Sequence, residues 1–340
     1  MTRHLLRLAY DLTSTRFSLV SVSLVCFGVL FGSMHVSAEP LRVVSYNVEN
    51  LFHPAHDSLK DDVEWTPEGE RHWSYKRYYR KVENIARVLT NIGEWSGVDI
   101  VGLQEVENAL VVKRLCYTLR RGEYDFVHYE SPDKRGIDVA FVYKKARVDT
   151  IRTRAIRVSG LVDEGISDFI TRDILYVCSK VKNERTKEEG DTIHFFVCHL
   201  PSQRGGTAES EWKREQAKRV LQNAVDSVFA VNQKAKIIVM GDMNSAPKED
   251  ISGLKNRMYD VQCTIYKGTH KYQGQWTCLD QFYVSAAMDS LSHVRIYDAE
   301  WIQEADEKYM GLKPKRTYNG FRYQNGYSDH LPIVLEAELR

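Results

Sequence analysis

Six apolar runs in this chain of 340 residues stop at, or start from, side chains able to hold a hard cation or move a proton. Leu41-Arg-Val-Val-Ser-Tyr runs into Asn47-Val-Glu49-Asn50, Ile100-Val-Gly-Leu-Gln into Glu105, Ile193-His-Phe-Phe-Val-Cys into His199, and Lys236-Ile-Ile-Val-Met-Gly into Asp242-Met-Asn244. Asp280 opens Gln281-Phe-Tyr-Val, and Asp329-His330 opens Leu331-Pro-Ile-Val-Leu. Carboxylates crowded at one place repel: at an effective dielectric of about 20, two charges ~4 Å apart cost about 4 kcal/mol. A divalent cation removes that cost. Carboxylate and amide oxygens are hard ligands suited to Mg²⁺, with Mn²⁺ and Ca²⁺ also compatible. Zinc is disfavoured, because no Cys–His set has its spacing and His53-Pro-Ala-His56 is a loop pair without a third ligand. A histidine beside a carboxylate is held as imidazolium. Taken singly, an Asp or Asn at a strand end is most often a turn residue. The weight comes from the whole set recurring in order.

The runs must be strands for this to matter. A strand that is apolar throughout is buried on both faces, so a carboxylate can sit on it only where it emerges. If neighbouring strands alternate in direction, a group after one and a group before the next share a rim. Strands are predicted at Leu41–Tyr46, Asp99–Leu103, Tyr124–Tyr129, Ile137–Tyr143, Ile174–Val181, Ile193–Cys198, Lys236–Met240, Leu279–Val284 and Pro332–Leu339. Two amphipathic helices accompany them. One runs from near Ser74 to Gly93, with Tyr75, Tyr78, Tyr79, Val82, Ile85, Ala86, Leu89 and Ile92 on one face. The other follows Gly205-Gly206, with Trp212, Val220, Leu221, Ala224, Val225, Val228 and Phe229 inward and Lys213, Arg214 and Lys218 outward. Many strands and few helices imply sheets packed face to face with helices outside. The polar segments His53–Trp73 and Trp301–Tyr327 are long for loops of a compact domain, a length usually tied to function or disorder. No linker or repeat divides residues 39–340, which read as one domain.

Tyr46-Asn-Val-Glu-Asn-Leu-Phe, Leu103-Gln-Glu-Val, Arg135-Gly-Ile-Asp-Val-Ala, Cys198-His-Leu-Pro-Ser, Gly241-Asp-Met-Asn, Leu279-Asp-Gln-Phe and Ser328-Asp-His-Leu-Pro together resemble the ordered motifs of the endonuclease/exonuclease/phosphatase superfamily. That group includes pancreatic deoxyribonuclease, abasic-site endonucleases, inositol polyphosphate 5-phosphatases and neutral sphingomyelinases; the likeness is strongest to its bacterial branch of predicted extracellular nucleases. The resemblance spans residues 42 to 338 and implies an α/β fold, a four-layered sandwich of two packed mixed sheets flanked by helices. It implies that Glu105 is the principal metal ligand, with Asn47, Glu49 and Asp329 around the metal or phosphate. Asp242 resembles the group that orients or deprotonates the attacking water, and Asn244 a donor to a phosphate oxygen. His330 resembles the histidine facing the scissile phosphate, with Asp280 orienting it. His199 resembles the second histidine of deoxyribonuclease-like members, with Asp138 as its partner. Arg204 joins Asn47, Asn244 and Asp138 as a substrate-binding candidate. One departure is visible: the family often has Asp two residues after the first Asn, where this chain has Glu49.

The bulk properties bound the partners. Arg3, Arg7 and Arg16 precede an apolar run from Phe17 to Phe31, and Val36-Ser37-Ala38 follows it. That order reads as a secretory signal cleaved after Ala38, since the run is shorter than a membrane span and broken by serines. Ser23 and Val25 make a poor lipobox around Cys26. A secreted or periplasmic chain is expected, with no membrane span after cleavage and no stable protein partner implied. Losing that segment takes three Arg and one Asp from the 47 Lys+Arg and 46 Asp+Glu, leaving 44 against 45. A chain that gripped nucleic acid by bulk charge would be strongly basic; here any polyanion is held locally, with Lys213, Arg214, Lys313, Lys315, Arg316 and Arg322 available to its backbone. Five cysteines remain, Cys116, Cys178, Cys198, Cys263 and Cys278, an odd number that is not a disulfide framework and leaves room for one bridge. The expected activity is Mg²⁺-dependent phosphodiester hydrolysis, foremost as an extracellular nuclease on DNA or RNA. The alternatives are a phosphatase or phospholipase-type enzyme acting on inositol phosphates or sphingomyelin and, from another class, a non-catalytic binding module.

Overall fold

The computed structural model describes residues 40–339 apart from 160–168, 183–189, 203–206, 248–250, 252, 260, 262, 265 and 266. The expected leader and Arg204 lie outside the described residues. Among the described residues, two six-stranded sheets form the body. The first comprises β1 (Leu41–Leu51), β2 (Ile100–Val106), β3 (Tyr124–His128), β4 (Asp138–Lys144), β13 (Ser292–Ile296) and β18 (Ile333–Ala337), in the order β13-β18-β1-β2-β4-β3. The second comprises β5 (Val148–Ile156), β6 (Ile174–Val181), β7 (Asp191–His199), β8 (Lys236–Asp242), β9 (Leu254–Asn256) and β12 (Asp280–Ser285), in the order β5-β6-β7-β8-β12-β9. Two small hairpins, β14 (Gln303–Ala305) with β15 (Leu312–Pro314) and β16 (Tyr318–Asn319) with β17 (Arg322–Tyr323), build up the polar segment Trp301–Tyr327, and a third, β10 (His270–Tyr272) with β11 (Gln275–Thr277), precedes β12. The helices are α1 (Tyr75–Gly93), α2 (Ala109–Leu119), α3 (Thr207–Val231) and the single turn α4 (Ala286–Asp289).

The side-chain alternation of the strands divides the core. On β7, Ile193, Phe195 and Val197 enter the main core, while Phe196 and Cys198 face a second core. Leu175 and Val177 against Tyr176 and Cys178 on β6, and Ile238 and Met240 against Ile237 and Val239 on β8, divide in the same way. The second core is closed by Ala217, Leu221, Ala224, Val225 and Val228 of α3. Val82, Ile85 and Leu89 of α1 and Val111, Val112 and Leu115 of α2 cover the first sheet. The result is the expected four-layered sandwich.

Several local expectations are corrected. Helix α2 was missed because its Val111-Val112 pair reads equally as strand; Asn108 starts it, its side chain accepting from the N–H groups of Leu110 and Val111. Strand β5 was missed because it is an edge strand with mostly exposed side chains, so no apolar run marks it. Arg214, expected outward, is buried and donates to Ser210 Oγ at 2.9 Å. Trp212, expected inward, is exposed and meets Phe169 edge-on, and Tyr75 and Tyr79 of α1 are exposed as well. Cys263 and Cys278 form a disulfide, whereas Cys116, Cys178 and Cys198 are buried free thiols.

Candidate active site

Strand direction makes the rim. β1 runs parallel to β2, and β7 parallel to β8, while β18 is antiparallel to β1 and β12 to β8. The C-terminal ends of β1, β2, β7 and β8 therefore meet the N-terminal ends of β12 and β18. In the second sheet the register sets His199 beside Asp242 and Asp242 beside Asp280, three polar residues abreast on adjacent strands. Gly241 permits that spacing: its φ is +146°, and a Cβ there would come within 1.9 Å of Cys198 O. In the first sheet the register of β2 skips between Gln104 and Val106, which leaves Glu105 as a bulge with φ +63°. A bulge bends the strand and re-aims a side chain. Glu49, Asn50 and Asn244 also take left-handed backbone, with φ of 53°, 56° and 48°. Such conformations cost of order 1–3 kcal/mol each and gather where the surroundings hold a functional geometry.

Into this rim the structure brings most of the expected residues. Asn47 Nδ2 donates to Asp242 Oδ2 at 3.1 Å and lies 3.4 Å from Glu105 Oε1, so it ties the two sheets together. His330 Nδ1 meets Asp280 Oδ2 at 2.7 Å, and its Nε2 points at Asp242 Oδ2, 3.9 Å away. Ser328 Oγ fixes the loop by donating to Asn47 O and accepting from His330 N–H. His199 Nε2 lies 3.6 Å from Asp242 Oδ2 and 3.8 Å from Glu105 Oε1. Asn244 donates its Nδ2 to Leu200 O, and its backbone N–H goes to Asp242 Oδ1.

Three expected residues are engaged differently. Glu49 gives its carboxylate to Arg316 Nε at 3.3 Å and to the Thr317 N–H, with Lys81 Nζ 3.8 Å away. Asp329 Oδ2 accepts from Arg316 Nη2 at 2.8 Å. Asp138 does not partner His199: its Oδ1 accepts from the Ser131 N–H and its Oδ2 lies 3.6 Å from His128 Nε2. It stands on β4 of the first sheet, opposite Val106. His199 is held instead through its backbone, whose carbonyl accepts from Arg172 Nε, and Arg172 also pairs with Asp133. His53 packs on Tyr75 and Tyr78, and His56 pairs with Asp62.

Burial and charge set the protonation states. Burial opposes charge on His330, yet Asp280 first, then Asp242 and Asp329, hold its pKa well above the ordinary imidazole value. Burial, with Arg172, Arg135 and His330 nearby, pushes His199 well below it, so the two histidines of one site sit in opposite charge states. Burial lifts Asp242 to about 6 despite His330. Burial also works against ionised Asp329, but Arg316 and His330 pull it down to about 2. A cation and an anion fixed side by side, with a general base of near-neutral pKa, can position and activate water against a bound phosphoryl group.

The donor set fits a hard divalent cation. Glu105 is the carboxylate left partly open, 18% exposed, with Asn50 N–H and Asn47 Nδ2 as its hydrogen-bond donors. Asp242 and Asn47 add oxygen donors beside it, while both oxygens of Glu49 are committed to Arg316, Thr317 and Lys81. Sequence reasoning missed Lys81, Thr317, Arg172 and His270. His270 packs its ring 4.8 Å from that of His330. Lys81 was hidden among the charged residues of an amphipathic helix, although its place three residues after Tyr78 and four before Ile85 sets it on the buried face.

The chain is similar in fold to several solved structures. Truncated TDP2 from Caenorhabditis elegans superposes with a TM-score of 0.54 at 17% identity, over 88% of this chain and 97% of that one. An endonuclease/exonuclease/phosphatase family protein from Bacteroides thetaiotaomicron gives 0.51 at 18% identity, over 88% and 98%. A mannosyl-6-phosphatase from Bacteroides thetaiotaomicron gives 0.51 at 16% identity, over 88% and 99%. None of the curated proteins compared matches this sequence. The profile of the Endonuclease/Exonuclease/phosphatase family, by contrast, aligns with residues 42–339, nearly every residue of the two sheets and all of the rim, and the chain belongs to that family of phosphoester hydrolases.

Proposed function

We propose that this protein is a secreted, divalent-cation-dependent phosphodiesterase that cuts nucleic acid. The observation that carries the reading is the His330–Asp280 pair at 2.7 Å with Asp242 facing the other imidazole nitrogen. Asp280 fixes the ring and its charge, so His330 presents Nε2–H to an oxygen of the scissile phosphate. Asp242, held by Asn47 and by the Asn244 N–H, takes the proton of the attacking water. Fixed donors aimed at developing charge are the main source of such catalysis. When Mg²⁺ or a similar ion is bound by Glu105 and its neighbours, it supplies further positive charge at the phosphoryl oxygens. Secretion is supported by the leader pattern and by the Cys263–Cys278 disulfide, which suits an oxidising compartment. No helix among the described residues is long and apolar enough to cross a membrane.

A second reading, hydrolysis of smaller phosphoesters, is favoured by the near-balanced charge of 47 Lys+Arg against 46 Asp+Glu, which provides no long-range attraction for a polymer. A substrate panel separates the two: plasmid DNA, RNA, a sugar phosphate, inositol phosphates and sphingomyelin, each with Mg²⁺ and with chelator. Nicking of plasmid or RNA that stops on chelation is expected. Cleavage confined to the small esters, or undiminished in excess chelator, overturns the leading reading.

A further inference from the structure

Among the described residues, the basic side chains that could meet a polyanion are engaged differently. Lys313 pairs with Glu304 on the β14–β15 hairpin, and Arg214 is buried against Ser210. Arg316 instead reaches Glu49 through Nε and Asp329 through Nη2. We propose that Arg316 is a phosphate-binding residue of this site, pinned along one edge by these two carboxylates and presenting its remaining N–H groups to a phosphoryl oxygen of the substrate. The proposal rests on the phosphoesterase reading above and names a substrate contact within it.

Three observations converge. The guanidinium is anchored and yet open: its side chain is 42% exposed, and Nη1 makes no hydrogen bond among the described residues. The planar fork of arginine suits two-point contact with phosphate, and a donor edge already held in place loses little freedom on binding.

The backbone carrying it is fixed on both sides. Thr317 N–H donates to Glu49 Oε2, Tyr327 N–H to Lys315 O, and Lys315 N–H to Ile302 O. Gly326 lies so close to this segment that a Cβ there would come within 2.1 Å of Arg316 O. Lys81, rising from α1, donates to Thr317 Oγ1 and Tyr327 O from beneath. An arginine meant only to cover surface needs none of this support.

Charge supplies the third argument. Glu49, Asp329, Glu105 and Asp242 stand at one rim, at the ends of β1, β2 and β8 and just before β18, and a phosphate approaching them is repelled unless a positive donor faces it. His330 supplies one such donor next to Asp242. On the side of Glu49 and Asp329, Lys81 is wholly buried, so Arg316 is the cation with an outward face. Lys81 shares the compensation of Glu49, so Arg316 does not neutralise both carboxylates alone and its open N–H edge can donate to an incoming oxyanion.

The test is calorimetric titration of the full chain with inorganic phosphate, in Mg²⁺, for wild type, Arg316→Gln and Arg316→Lys. It is paired with steady-state kinetics on bis(4-nitrophenyl) phosphate and with melting curves. Arg316→Gln should weaken phosphate binding and raise KM by at least about tenfold, the scale of one charge-assisted hydrogen bond, with kcat reduced less than KM is raised. Arg316→Lys should recover part of the phosphate affinity, since it restores the charge but not the fork. Unchanged phosphate affinity in a folded Arg316→Gln variant, or no phosphate binding by wild type, overturns the proposal. A lowered Tm and kcat with unchanged phosphate affinity also overturns it and assigns Arg316 a purely structural role. Failure of wild type to cleave any phosphodiester sinks the phosphodiesterase reading instead, and the titration still judges Arg316.

Discussion

The two halves of the rim use the same residue types in opposite ways. Around Glu105, Asp242, Asp280 and His330, carboxylates and imidazole come from strand ends, with His330 bonded to Asp280, Glu105 partly exposed and His330 Nε2 facing Asp242 at 3.9 Å. Around Glu49 and Asp329, two carboxylates are matched by two cations, Lys81 and Arg316, in a set that is formally neutral and largely closed from below. The first half carries unmet negative charge, which a cation can meet. The second has met its charge internally and supports the Asp329–His330 turn, while the outer edge of Arg316 stays open. Like chemistry thus becomes reactive or structural according to whether counter-charges are built in.

The comparison breaks most decisively at Lys81. Its Nζ is wholly buried, so Lys81→Met leaves Glu49 without its inner counter-charge, and losing one partner of a buried pair costs about 3–5 kcal/mol. Urea unfolding should show that loss, with part of it recovered in the Lys81→Met/Glu49→Gln double variant. A loss below about 1 kcal/mol would show that the quartet is no strut.

The reactive half should fail the other way. His330→Ala and Asp242→Asn should each lower kcat by at least about 10²-fold, roughly 2.7 kcal/mol, and Asp242→Asn, which keeps the shape of the side chain, should melt near wild type. Near-wild-type turnover in folded variants refutes the assigned roles. Glu105→Ala should raise the Mg²⁺ concentration for half-maximal activity by about tenfold or more; a superimposable metal titration would remove Glu105 from the ligand set.

A smaller effect sharpens the boundary between the halves. Glu107, two residues past Glu105, is buried, and burial lifts its pKa from 4.5 to about 8 despite a hydrogen bond from the His53 N–H. Because the folded value lies above the unfolded one, the native state favours the protonated acid. Its contribution to stability is complete below 4.5 and is lost as pH rises toward 8. Glu107→Gln should therefore gain stability over wild type at pH 8 and lose that gain near pH 4. A shift of about 2–4 °C in Tm corresponds to about 1 kcal/mol. Equal Tm differences at both pH values would contradict this assignment of charge.

Much of the site was readable from the chain because its residues stand where apolar runs stop, and burial of both strand faces forces that position. Asn47, Glu105, His199, Asp242, Asp280 and His330 were all found this way. The pairing of Asp138 was not, since a partner is chosen by which strand lies next door: β4 neighbours β3, and His128 is the imidazole within reach. Helix α2 and strand β5 escaped for local reasons, a β-branched pair in one and an exposed edge in the other. The buried Arg214 and Lys81 escaped because composition shows a charge without showing its surroundings.

By itself the sequence determined the alternation of apolar and polar residues, and with it which segments become strands, where each strand emerges, and which reactive groups wait there. Only the tertiary structure decided which charges are met and which remain open. Hydrophobic patterning is local and periodic, so it is written along the chain. Charge compensation joins Glu49 to Arg316, and a hydrogen bond joins Lys81 to Thr317, each across more than 230 positions, and no short-range pattern encodes a contact at that separation.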